Sequence, residues 1–223
     1  MAEKISVIGA GAWGSALAKV LADKGNNVLM WAYEKEVANS INSFNRNHIY
    51  LPEVELPKSI RATTDLSLAL KGQDVVVSVL PSHALRNIWK MAAPYLEKNA
   101  ILVSCTKGIE GESLKLMNEV LSEVVPLHMS KNTVVLSGPS FAKEVALGLP
   151  TSVVIAGEDA SVCKRIQDLF RTDLFLTFTS DDIVGVEIGG AVKNVIAIAT
   201  GISDGLKFGH NSRAAIITRG LYE

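Results

Sequence analysis

Cysteine is scarce: two residues in 223, Cys105 and Cys163, both in apolar neighbourhoods and without CxxC spacing. That argues against a disulfide framework and a zinc cluster, predicts no metal site, and makes a reducing cytoplasm the default location. Net charge of one sign is also lacking, since 22 cationic and 23 acidic residues leave −1. No overall cationic field exists to hold nucleic acid or an anionic membrane surface. A signal peptide is not apparent, and no uninterrupted apolar run reaches the roughly 20 residues of a membrane span. The nearest candidate, Val184 to Ile202, is broken by Glu187 and Lys193 and reads as a buried helix. Internal repeats and low-complexity tracts are missing too.

What is present is ordinary globular composition, 48% hydrophobic and 20% charged, in a strand–helix rhythm. β-rich runs lie at 5–8, 28–31, 74–80, 100–105, 133–136, 153–156 and 174–178. Amphipathic helical patterns lie between most of them, for instance 84–96 and 113–124. Continuous apolar strands such as VVVSVL imply burial on both faces. The expected fold is therefore α/β: a Rossmann-like, doubly wound, mostly parallel sheet. Residues 42–61, with Pro52 and Pro57, read as an excursion over the surface. After about Asp181 the strands stop. A long apolar helix, a Gly-rich turn at SDGLKFGHNS and a second helix from near Arg213 to Glu223 follow, with no stop signal. The predicted division is a dinucleotide-binding domain over 1–181 and the beginning of an all-α substrate domain over 182–223. An unfinished helical domain leaves apolar faces exposed and invites self-association, hence a homodimer.

Gly9, Gly11 and Gly14 follow the first strand and open an Ala-rich helix, with Ala12 and Trp13 inside the loop. Gly9 suits a tight turn, Gly11 close approach of a pyrophosphate, and Gly14 close helix–strand packing; the helix N-terminus supplies N–H groups and a positive dipole. Glu34 lies twenty positions past Gly14, where an acid binds the adenosine ribose. Glu34 favours NAD, whereas the adjacent Lys35 suits the 2′-phosphate of NADP, and the choice stays open. Trp13 either packs over the cofactor or, like Tyr33, is a core or rim aromatic. His83, after Pro81 and Ser82, reads as a solvated helix-start residue.

Two lysines carry the candidate chemistry. Lys107 ends a strand on the sheet edge where ligands bind, and would polarise a carbonyl or hold a phosphate if it is not simply solvated. Lys193 sits among Gly189, Gly190, Ala191, Val192 and Val195, where burial of an ammonium lowers its pKa and suits it to general acid–base work. The alternatives are snorkelling to the surface or pairing with Glu187. Gly138 and Ser140 follow another strand and suit a polar substrate. Read instead as a near GxSxG, Ser140 would head a hydrolase triad with Asp181 or Asp182 and His210.

The stretches IGAGAWGSALA, VLPSHALR, CTKGIE, SGPSFAKEVALGLPT and GVEIGGAVKNVIAIATGISDGLKFGHNSRAAIITRGLYE together resemble bacterial-type NAD(P)-dependent glycerol-3-phosphate dehydrogenases along the whole chain. The resemblance implies hydride transfer between NAD(P)H and dihydroxyacetone phosphate, giving sn-glycerol 3-phosphate for phospholipid synthesis. It implies Lys193 as proton acceptor, Lys107 on cofactor and substrate, and Gly138 and Ser140 on substrate. It implies Trp13, Tyr33, Ala142 and Tyr50 along the dinucleotide. Asn194, about 100° from Lys193 around a helix, would orient substrate instead of sharing the proton. The family's helical domain continues past Glu223, where an aspartate and an Arg-Asn pair grip the substrate's phosphate. A β-hydroxyacid dehydrogenase and a non-catalytic dinucleotide-binding fragment are the alternatives.

Overall fold

The computed structural model describes residues 3–222. β1 (Ile5–Ile8) runs into α1 (Ala12–Asp23), and β2 (Val28–Trp31) into α2 (Lys35–Phe44). A hairpin of β3 (Arg46–Asn47) and β4 (Leu51–Glu55) precedes β5 (Ile60–Thr63) and α3 (Leu66–Leu70). Then come β6 (Val75–Ser78), α4 (Ser82–Ala92), β7 (Ile101–Ser104), α5 (Met117–Val124), β8 (Thr133–Ser137) and α6 (Ala142–Ala146). β9 (Thr151–Gly157), α7 (Ala160–Phe170), β10 (Phe175–Ser180), α8 (Ile183–Gly205) and α9 (His210–Tyr222) complete the chain.

Eight strands form one sheet in the order β10-β9-β8-β7-β6-β1-β2-β5. All neighbours pair in parallel except β8 and β9, so the mostly parallel, doubly wound expectation holds. Each strand divides its side chains between two cores because successive residues face opposite sides. Val75 and Val77 join the core under α1 and α7, while Val76 joins the one under α4 and α5. The chain leaves β1 in one direction through β2 and β5 and returns on its other side with β6. That reversal opens a crevice at the carboxyl ends of β1 and β6.

The surface excursion expected at 42–61 is more ordered than its prolines suggest. Leu51, Val54, Leu56 and Ile60 are buried, β3 and β4 pair antiparallel, and β5 adds an edge strand beside β2. Strands of two to five residues are too short to show a clear alternation. α4 begins two residues earlier than expected, at Ser82, and gives way to a 3-10 turn at Ala93–Tyr95 around Pro94. α5 starts only at Met117, because the preceding residues fold into a loop closed by Glu110 N donating to Lys115 O.

α8 starts where the Asp182 carboxylate accepts from Gly185 N at 2.8 Å. The turn after it is confined to 206–209, and α9 opens at His210 instead of Arg213. Glu223, where that helix was expected to run out, lies outside the described residues. The expectation of a buried α8 is overturned. Only 6% of its most apolar 18-residue window is buried, although its length and composition would suffice to cross a membrane. Its N-terminal part rests on the sheet domain and its C-terminal part on α9. Among the described residues nothing packs against the remaining apolar surface.

Candidate active site

The glycine loop is shaped by contacts that a side chain would destroy. Gly9 has φ +119°, and a Cβ there would strike the Val79 carbonyl. A Cβ on Gly14 would strike the Gly9 carbonyl, so α1 can lie this close to β1 only with glycine in place. Gly11 differs: a Cβ on it meets no protein atom within 4 Å, and it borders a cavity of about 790 Å³. No acidic residue lies in the first turn of α1, and no side chain caps its N-terminus. An uncapped helix N-terminus behind an open glycine cradle fits a pyrophosphate.

On the same cavity, Lys107 follows β7 and is half-buried. Its Nζ donates to Gly138 O at 2.9 Å and to Ser140 Oγ at 3.1 Å. Burial, reinforced by the charge of Lys193, lowers its pKa from the usual lysine value. The Trp13 ring centroid is 5.9 Å from the same nitrogen. Trp13 both borders the cavity and packs against the core, so the two readings of it are not exclusive. Its Nε1 is buried without a partner. The Lys107 loop is pinned from outside by Arg86 of α4, whose Nε and one terminal nitrogen each donate to Glu110 at 2.8 Å. That two-point bond holds the Glu110 carboxyl far down, at about 2, and fixes the loop three residues past Lys107.

Lys193 also borders the cavity, but the desolvated ammonium expected there is not found. Lys193 is exposed, and its Nζ donates to Asn194 Oδ1 at 2.9 Å. The two side chains meet despite their angular separation, because the lysine's four-carbon stem spans it. The half-buried cation of the site is Lys107. Glu187 is not paired with Lys193 either. Its carboxylate accepts from Asn118 N in the first turn of α5 at 3.0 Å, and burial raises its pKa to about 7. Of the two adjacent glycines, only Gly190 makes a close approach: a Cβ there would sit 2.6 Å from Ser137 Oγ and 3.7 Å from Lys107 Cγ.

The cavity wall thus gathers Gly9, Gly11, Ala12 and Gly14 with Lys107, Ser140 and Lys193, as well as Tyr33, Glu34 and Tyr50 near β2. Gly138 reaches the site through its carbonyl, Asn194 through Lys193, and Ala142 opens α6 against the core. None of these last three borders the cavity itself. His83 stands exposed on its rim. The hydrolase arrangement does not form: Ser140 Oγ contacts Lys107 and Gly138 O, Asp182 caps α8, and His210 opens α9. Among the described residues no cluster of three or more His, Cys, Asp or Glu could hold a metal ion.

Sequence reasoning missed Asn47. This fully buried residue in β3 donates from Nδ2 to Ala10 O at 2.8 Å and to Ser15 Oγ at 2.9 Å, tying the 42–61 arm to the glycine loop. One asparagine in a polar stretch carries no periodic signal. Its burial becomes legible only once the hairpin is known.

A family model described as the N-terminus of NAD-dependent glycerol-3-phosphate dehydrogenase matches residues 4–163, and its C-terminal counterpart matches 182–223. The chain belongs to the NAD-dependent glycerol-3-phosphate dehydrogenase family. Among curated relatives, a glycerol-3-phosphate dehydrogenase (NAD(P)+) of Geobacter sp. (strain M21) is 48% identical over 223 residues, covering 100% of this chain and 67% of its own length. One of Bacillus velezensis (strain DSM 23117 / BGSC 10A6 / LMG 26770 / FZB42) is 48% identical over 99% of this chain and 64% of its own. Among solved structures, a glycerol-3-phosphate dehydrogenase of Coxiella burnetii superposes with TM-score 0.88 at 39% identity, covering 99% of this chain and 67% of that one. A Plasmodium falciparum glycerol-3-phosphate dehydrogenase gives 0.90 at 31%, covering 99% and 64%. The chain therefore spans about two thirds of the length of these family members, or somewhat less.

Proposed function

We propose that this chain is the dinucleotide-binding and proton-transferring part of an enzyme that interconverts dihydroxyacetone phosphate and sn-glycerol 3-phosphate. The observation that carries the reading is a single cavity at the sheet's reversal point, bordered by the glycine loop, Lys107, Ser140 and Lys193. Residues 1–181 form the dinucleotide domain and 182–223 begin the substrate domain. Gly9, Gly11, Ala12 and Gly14 receive the pyrophosphate, with Trp13, Tyr33, Glu34, Tyr50 and Ala142 along the rest of the dinucleotide. When bound, NAD or NADP supplies or accepts the hydride.

The chain's own residues do the remainder. Lys107, with Gly138 and Ser140, orients the substrate and offsets negative charge growing on the carbonyl oxygen. Lys193, with Asn194 beside it, returns the proton to that oxygen during reduction and takes it during oxidation. The substrate partner is a small phosphorylated triose, and no nucleic acid is involved. The same reading places the protein in the cytoplasm, as a homodimer without a membrane span, making glycerol 3-phosphate for phospholipids.

The test is Lys193→Ala in a chain extended to its relatives' length, followed by dihydroxyacetone phosphate-dependent oxidation of NADH. A loss of about 100-fold or more in kcat, with NADH binding intact, is expected of a general acid–base. Near-normal turnover would remove the assignment.

A further inference from the structure

We infer that Arg86, which lies outside the cavity, positions Lys107 within it: by gripping Glu110 it fixes the loop that carries the ammonium against α4. The inference rests on the substrate-orienting role proposed for Lys107 and adds the residue that makes it possible. The contacts of Lys107 Nζ, the Gly138 carbonyl and the Ser140 hydroxyl, are both neutral. A half-buried ammonium with neutral partners gains hydration by swinging outward on its four-carbon stem. What opposes that is the placement of its backbone, which turns at once into a loop through Gly108, at φ +135°.

Two successive contacts lay this loop along one face of α4. Ser82 and Arg86 stand four residues apart, hence on the same side of the helix. A Cβ on Gly108 would sit 3.0 Å from Ser82 Cβ and Oγ, so the turn after Lys107 already meets the first residue of α4. One helical turn on, Arg86 takes Glu110 at two points, and its remaining terminal nitrogen donates to Glu123 Oε2 of α5 at 2.6 Å. Glu110 is in turn fastened inside its own loop. Its N–H donates to Lys115 O at 2.9 Å, its carbonyl accepts from Leu114 N at 2.8 Å, and its carboxylate accepts from Ser113 Oγ. Arg86 thus acts on the 110–115 loop as a unit, without bordering the cavity itself. The Arg86 and Glu110 side chains are only 22% and 14% exposed, and a two-point bond in that setting fixes direction as well as distance.

The test is competitive acetylation of the 223-residue chain over a range of pH, with the titration midpoint of each lysine read by mass spectrometry. In the wild type, burial and then the charge of Lys193 lower the Lys107 midpoint, with the Cys105 thiol acting the other way. Arg86→Met and Glu110→Gln should both let Lys107 reach water and raise its midpoint by about half a pH unit or more. Arg86→Lys, which cannot bind at two points, should do the same in smaller measure. Lys24, also lowered by burial and tied to Asp168 O and Arg171 O, should keep its midpoint. A merely structural role would move Lys24 as well. A through-space effect of charge alone would move the first two variants in opposite directions, since one loses a cation and the other an anion. Either result, or an unmoved Lys107, would overturn the inference and leave the proposed function intact. In a chain extended to its relatives' length, Arg86→Met should lower kcat/KM for dihydroxyacetone phosphate about tenfold or more, with NADH affinity changed far less. An unchanged kcat/KM beside a shifted Lys107 would also overturn it. Absence of turnover in the extended wild type would overturn the proposed function instead, while acetylation would still decide the placement of Lys107.

Discussion

Up to residue 180 the large apolar side chains are mostly inside; in α8 and α9 they are mostly outside. Ile5, Val7, Val76 and Leu102 are at most 1% exposed, and Trp89 is fully buried with its Nε1 donating to Ser78 Oγ at 2.8 Å. In α8, by contrast, Val195 is 64% and Ile198 63% exposed, while its buried residues are Glu187, Thr200 and Ser203. α9 has no buried residue at all. The same kind of apolar sequence thus has two different fates. Burial belongs to a helix and its neighbours together, and an all-round apolar helix covered on only part of its surface stays exposed. The elements up to residue 180 enclose two cores of their own, whereas α8 touches them near its start and otherwise meets α9.

The sharpest way to break this comparison is to cut a large side chain from each region. Trp89→Ala should cost about 3–5 kcal/mol in urea unfolding through the cavity it leaves. Ile198→Ala should stay within about 0.5 kcal/mol. Equal losses would mean that α8 is packed after all. A finer probe compares the neighbouring glycines of α8. Gly190→Ala should cost about 1–3 kcal/mol by pushing the helix off Ser137. Gly189→Ala meets nothing within 4 Å and should instead gain about 0.5–1 kcal/mol of helix propensity. A pH-dependent probe is Glu187, whose carboxyl is raised from 4.5 to about 7. Between those values the folded state holds a proton that the unfolded chain has released, so stability falls as pH rises from about 4.5 to 7. Denaturation midpoints at pH 5 and pH 8 should differ less in Glu187→Gln than in the wild type.

The sheet and the glycine loop were legible because their signals are local: continuous β-branched runs, and three glycines at fixed spacing after a strand. All seven strands expected from such runs are present, with ends shifted by a few residues. β3, β4 and β5 were illegible because their buried residues are spread across a proline-containing arm and find their core only through tertiary pairing. For the candidate site, most of the residues singled out border the cavity, but their environments were not legible. Composition around Lys193 suggested desolvation. That property belongs to Lys107, whose surroundings come from β8, Ser140 and Trp13, which are distant in sequence. Glu187 likewise found its partner in α5, 69 residues earlier in the chain.

The Asn47 amide has one further consequence. Because a single side chain latches the hairpin arm to the glycine loop and the start of α1, the arm cannot shift independently of them. An insertion or deletion between 42 and 50 would be transmitted mechanically to the glycine-loop backbone. Grafting this arm into another protein would therefore require carrying Ala10 and Ser15 along with it.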